Sequence, residues 1–154
     1  MTPSSPRRRA VTQAAAEGCV VDASVTMAWF FPDEANAFTE SLLDALGTRP
    51  FWVPALWVLE CTNVLQTSCR RGRISSERRA EIARELHDLP VQVDHDLPGF
   101  PALDAQAAAT GLSAYDAAYL ELAVRKQLPI ASQDTALVRA ARASGLKVLK
   151  TLAA

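Results

Sequence analysis

Four carboxylates occupy positions where a charge needs a partner. Asp22 ends the short apolar run Cys19-Val20-Val21 and is followed by small residues and a helix-like stretch from Val25 to Phe31. That pattern puts it at the carboxyl end of a buried strand, the edge at which open α/β sheets bind ligands. Asp134 comes after the strand-like Pro129-Ile130-Ala131 and Ser132-Gln133, so a parallel sheet brings it to the same edge. Asp116 falls in the first turn of a helix opened by Ser113, where the helix dipole favours a negative charge. Glu60 lies mid-helix in Leu56-Trp57-Val58-Leu59-Glu60, where a carboxylate buried without a partner is costly or takes up a proton. Asn63, three residues on, shares its helix face and could orient it. Gathered carboxylates repel unless a cation offsets them, and an all-oxygen donor set suits Mg²⁺ or Mn²⁺ rather than zinc. Neither histidine has a His or Cys at zinc-ligand spacing. A structural reading stands beside the chemical one, since Asp22 could serve only as the cap of the helix that follows it.

The elements that must position these groups are legible from periodicity and breakers. Pro32 interrupts the first helical pattern, and Asp33 to Leu46 resumes it with Phe38, Leu42, Leu43 and Leu46 on one stripe, closed by Gly47. Phe51-Trp52-Val53 reads as a strand, and Pro54 opens a helix that runs through Arg71 to Gly72. Ser75 to Asp88 is amphipathic, with Ile82, Leu86 and Leu89 apolar. Val91-Gln92-Val93 is a further strand, and Pro101 to Thr110 an alanine-rich helix ended by Gly111. Ser113 and Asp116 form a capping-box-like pair ahead of Tyr115, Tyr119 and Leu122 on one face. The strand Pro129 to Ala131, a helix from Asp134 to Ser144 and the strand Lys147-Val148-Leu149 complete the pattern. Strands alternating with helices imply a parallel sheet in a three-layer α/β/α domain over 19–154. Residues 1–18, with Arg7-Arg8-Arg9 and no apolar core after them, read as a flexible basic tail rather than a signal.

Composition bounds the function. The 154 residues suit one domain with a substantial core, and the 49% apolar content is that of a soluble protein. No apolar run approaches the roughly 18 residues that a membrane span needs. A net charge of −1 gives no global basic field, so any nucleic-acid contact must be local. Cys19, Cys61 and Cys69 are odd in number and lack CxxC spacing, which points to reduced thiols in a cytoplasmic protein.

Val20-Val21-Asp22-Ala23-Ser24, Glu60 with Asn63, Leu112 to Leu120 and Ser132-Gln133-Asp134 resemble, in order, the four blocks of the PIN-domain family. Within it they are most similar to VapC-type toxins of type II toxin–antitoxin systems, from about Cys19 to Leu149. The specific part is Ser-Ala-Tyr-Asp-Ala-Ala-Tyr-Leu together with Val-Val-Asp-Ala-Ser. Ser132 stands where a threonine is common, and both carry a hydroxyl. The resemblance implies a central five-stranded parallel sheet and a Mg²⁺-dependent endoribonuclease that cleaves RNA with metal-activated water. It also implies a homodimer and a VapB-type antitoxin as partner. By matching position, Asp22, Glu60 and Asp116 would hold the metal, directly or through water, with Asp134 assisting. Ser24 and Ser132 would bond a water or a carboxylate there, or only cap helices.

Other residues admit more than one role. Arg70, Arg71, Arg73, Arg78 and Arg79 could neutralise RNA phosphates, meet an acidic antitoxin segment, or form a solvated face beside Glu77, Glu81 and Glu85. Asp94-His95-Asp96 resembles a ligand triplet but reads as a polar loop after a strand. Trp29, Trp52 and Trp57 lie in apolar stretches and read as core rather than as base-stacking platforms. Two competing functions remain: a catalytically inactive scaffold that binds RNA or protein, and a phosphoryl-accepting domain with Asp22 as nucleophile. The latter lacks the second Asp or the late Lys that such domains use.

Overall fold

The structure, a computed structural model, describes residues 18–149. The expectation of a tail therefore lies outside the described residues, except at Gly18. That glycine belongs to the fold, because its φ of +78° and a Cβ position 2.1 Å from the Pro50 carbonyl oxygen admit no side chain.

The chain runs β1 (Cys19–Val21), α1 (Ala23–Ala28), α2 (Ala37–Ala45), β2 (Phe51–Pro54), α3 (Leu56–Arg70), α4 (Ser76–Asp88), β3 (Val91–Asp94), α5 (Phe100–Thr110), α6 (Ala114–Lys126), β4 (Ile130–Ala131) and α7 (Thr135–Ala143). The strands are all parallel in the order β3-β2-β1-β4. Among the described residues the sheet thus has four strands rather than the expected five. Lys147–Leu149 does run beside β4, with Val148 bridged to Ile130 and bonds of 3.0 and 2.9 Å to it.

Alternation along β1 separates two apolar layers. Val20 packs with Val53, Ile130, Trp57, Leu65, Ile82, Tyr119, Leu120 and Leu137 on one face, and Cys19 and Val21 pack with Phe51, Ala131, Val25 and Leu42 on the other. Helices therefore cover both faces, as a parallel sheet requires. Each fully buried Leu, Ile or Val contributes about 1.5–3 kcal/mol, so this packing rather than helix propensity holds α6 and α7 on the sheet.

Several local expectations are corrected. Pro54 does not open a helix but ends β2 opposite Asp94, where its missing N–H is harmless because Ala55 N–H makes the next bond to the Asp94 carbonyl, at 2.9 Å. The second helix starts at Ala37, capped reciprocally by Asn36 and Thr39. Leu43 is exposed because only Leu42 of that adjacent pair can face the sheet. Tyr115 is likewise exposed, in the first turn of α6. Among the described residues no helix is long and apolar enough to cross a membrane.

Candidate functional site

Asp22 follows β1 immediately and caps α1, accepting from Val25 N–H at 3.2 Å. Its carboxylate also accepts from the Ser24 hydroxyl at 2.5 Å and from the Ser132 hydroxyl. Ser132 comes next after β4, which pairs with β1 through Val21 and Ala131, so parallel pairing alone sets the two side chains together. Only 5% of Asp22 is exposed. Burial pushes its pKa above the ordinary carboxylate value, against the hydrogen bonds that pull it down.

Ser132 also accepts from Asp134 N–H at 2.9 Å, which ties the start of α7 to Asp22 through one hydroxyl. The Asp134 carboxylate caps α7 by accepting from Leu137 N–H at 2.7 Å, and the residue is exposed. Nearby, Asn36 donates to Gln133 at 2.7 Å, and Gln133 reaches the Ser24 carbonyl at 3.4 Å, closing the α2 cap over this edge.

Glu60 sits half-buried in the second turn of α3. The Tyr119 hydroxyl, from α6, donates to its Oε2 at 2.5 Å. Burial raises the Glu60 pKa, Tyr119 opposes that rise, and the charges of Asp22 and Asp116 add to it. Asp116 lies one helical turn before Tyr119 on α6, its N–H bonded to the Ser113 oxygen at 3.1 Å and its Oδ2 accepting from that hydroxyl at 3.0 Å. The expected capping pair is thus present in altered form, with the carboxylate meeting the serine hydroxyl rather than the backbone.

The charges of Asp22 and Asp116 thus both act on Glu60, and the backbone of Asp134 is tied to Asp22 through the Ser132 hydroxyl. Among the described residues no three His, Cys, Asp or Glu side chains converge closely enough to hold an ion as they stand. Each carboxylate instead meets protein hydroxyls, Asp22 those of two serines, Glu60 that of a tyrosine and Asp116 that of a serine. The donor chemistry, all carboxylate and hydroxyl oxygen, still fits a hard divalent cation and no softer one.

Tyr119 is the member of this group that sequence reasoning misses. Its place on an apolar helix face reads as core, and it is 1% exposed. The one signal is that a buried phenol needs an acceptor. Asn63 was the expected partner of Glu60; it lines a groove with it, and the hydrogen bond comes from Tyr119 instead.

Several of the remaining candidates have structural partners. Asp94, at the end of β3 rather than in a loop, pairs with Arg125 at 3.0 Å and Lys126 at 3.3 Å. Arg73 pairs with Asp33 at 2.7 Å and Glu34 at 2.8 Å and lies over the Phe31 ring. Arg78 pairs with Glu81 and Glu85. Trp57 is buried and donates to Thr26 at 3.1 Å, Trp29 donates to the Thr39 carbonyl at 2.8 Å, and Trp52 lies under the Lys126 ammonium. Cys61, beside Glu60, is a buried thiol whose pKa is pushed up to about 12, first by burial, which makes it a poor nucleophile.

No curated protein matches the sequence. Two solved structures share the fold. PAE2754 from Pyrobaculum aerophilum matches with a TM-score of 0.62 at 24% identity, over 82% of this chain and 80% of that one. FitAcB from Neisseria gonorrhoeae matches with a TM-score of 0.62 at 17% identity, over 86% of this chain and 96% of that one. The family model described as the PIN domain matches residues 19–143, a span that holds all four carboxylates. The chain belongs to the PIN-domain family, whose members are typically nucleases.

Proposed function

We propose that this chain is a metal-dependent endoribonuclease of the VapC type, the toxin of a toxin–antitoxin pair acting in the cytoplasm. The observation that carries the reading is geometric: Asp22 ends β1 beside Ser132 of the next strand end, Glu60 of α3 is bonded by Tyr119 of α6, and Asp116 stands one turn before Tyr119, so three elements deliver three carboxylates. Such a group repels itself unless a cation is present. Asp22, Glu60 and Asp116 would hold Mg²⁺, or Mn²⁺ in its place, with Asp134 assisting from the start of α7. A bound divalent ion supplies water activation and offsets charge on the scissile phosphate.

The chain's own residues do the rest. Ser24 and Ser132 fix the rotation of the Asp22 carboxylate. Ser132 links Asp22 to the α7 cap, so one hydroxyl bridges the two strand ends. RNA would approach the groove of about 430 Å³ lined by Leu56, Leu59, Glu60, Asn63, Val64 and Tyr115.

The domain, taken as 19–154, would work with partners. Val58, Leu59, Leu97, Phe100 and Tyr115 are exposed apolar side chains, and Leu56 and Leu59 wall two adjacent grooves. Such a surface suits burial against a second copy of the chain and a VapB-type antitoxin. A second reading, an inactive scaffold that binds RNA or protein, is favoured by the protein hydroxyls that occupy the carboxylates.

Purified protein incubated with transfer, ribosomal and messenger RNA, with Mg²⁺ and with chelator, separates the two. Cleavage that requires the metal is the expected result. RNA left intact in every arm, by protein that still binds it, would leave the scaffold.

A further inference from the structure

Tyr119 is 1% exposed within an apolar layer, yet its hydroxyl is aimed across the gap between two helices at the Glu60 carboxylate. The bond, at 2.5 Å, has the length of a charge-assisted contact to an ionised acceptor. Tyr119 stands one turn beyond Asp116 on α6, whereas Glu60 comes from α3, so this single bond ties the two carboxylate-bearing helices together at the level of the site. Glu60 has three rotatable side-chain torsions, and among the described residues no other donor bonds its carboxylate.

We propose that Tyr119 is a positioning residue that holds the Glu60 carboxylate in register with Asp22 and Asp116 for cation binding. This rests on the reading of Glu60 as a metal ligand. The phenol takes Oε2, no donor among the described residues bonds Oε1, and Glu60 lines the groove. Without it, Glu60 would sample rotamers that withdraw it from its neighbours, and each metal-binding event would bear the entropy of fixing it again. A purely structural role, in which a buried phenol merely finds an acceptor, would leave cation affinity unchanged in protein that folds.

The test uses the full chain with Mn²⁺ alone as the probe, read by titration calorimetry and by the resonance of the free ion. Tyr119→Phe keeps the ring and removes the hydroxyl. It should weaken Mn²⁺ binding about 10- to 100-fold, the range for partners that orient a ligand. In a Glu60→Gln background the same change should cost nothing more, because the carboxylate it positions is gone. Undiminished Mn²⁺ affinity in folded Tyr119→Phe, or an equal loss in both backgrounds, overturns the assignment. A wild-type chain that binds no Mn²⁺ overturns the metal-site reading itself, so the two failures are distinct. A second measurement does not depend on Tyr119→Phe folding. The chain has two tyrosines, so ¹³C-tyrosine labelling of Tyr115→Phe leaves the Tyr119 ring signal alone. That signal should shift in step with Mg²⁺ binding, and a signal that stays still while Mg²⁺ raises the melting temperature rejects the proposal.

Discussion

Asp116 and Asp134 differ in what their charges touch, and neutralising them should separate accordingly. The Asp116 charge raises the Glu60 pKa, whereas Asp134 does not enter that field and acts through the Ser132 hydroxyl. Asp116→Asn should therefore bring the Glu60 pKa down and nearly abolish metal-dependent cleavage. Asp134→Asn should leave the Glu60 titration in place and cost less activity. Carboxyl NMR of Glu60 and RNA cleavage across a Mg²⁺ titration check both statements, and equal effects of the two variants on Glu60 would refute the distinction. Folding should survive in each case. Asn is as good a cap as Asp at the start of α7, and at Asp116 relief of repulsion offsets a helix-dipole contribution of about 0.3–1 kcal/mol. At this scale the carboxylates are legible because a charge that ends an apolar strand, or interrupts an apolar helix, is conspicuous in a one-dimensional pattern. Tyr119 is not, because its partner lies 59 residues away and its helical spacing is that of a core residue.

Between elements, the link that a sequence cannot display is Asp94 with Arg125 and Lys126. It joins the end of β3 to the last turn of α6, the helix that carries Asp116 and Tyr119. Arg125, foremost, holds the Asp94 carboxyl below its ordinary value of 3.8. A carboxyl with a lowered native pKa adds stability that is complete above its unfolded value and is lost as pH falls through its native one. Asp94→Asn should thus be less stable than wild type by about 1 kcal/mol at pH 7, because Arg125 and Lys126 are part-exposed and water screens the pair. The difference should close at pH values well below 3.8, as thermal melts across pH would show. A deficit that persists undiminished in acid would mean that packing, not the ion pair, is what Asp94 provides. Read as a triplet, Asp94-His95-Asp96 suggests a polar loop because Arg125 is invisible from position 94. The elements themselves are mostly legible, with caps at Ser75, Ser113 and Gly111 where the residue types place them. Pro54 misleads because proline is acceptable both in a first helical turn and at a strand end, and only the pairing with Asp94 decides.

For the whole molecule, alternation of strands and helices is enough to predict a parallel sheet covered on both faces, since no other layer arrangement buries both sides of such strands. The strand count is harder, because Lys147–Leu149 has the apolar pattern of a strand but meets β4 through the single bridge of Val148 to Ile130. What the arrangement concentrates at one edge is like charge, and that has a global consequence. Without a cation, the repulsion that Asp22 and Asp116 exert on Glu60 is carried by the native state alone, because unfolding separates them. A cation that binds the folded edge and not the unfolded chain should then stabilise the fold by mass action, about 2.7 kcal/mol at a hundredfold excess over its dissociation constant. For a domain of this size that is a rise of roughly 5–10 °C in melting temperature. The rise should grow with the logarithm of Mg²⁺ or Mn²⁺ concentration, as linkage to a single site requires. It should be matched by neither Na⁺ at equal ionic strength, which only screens, nor by Mg²⁺ added to Asp22→Asn, which keeps the α1 cap but removes the most buried of the charges. A melting temperature that ignores millimolar Mg²⁺ and Mn²⁺ would show that the hydroxyls of Ser24, Ser132 and Tyr119, rather than an ion, are the lasting partners of these carboxylates.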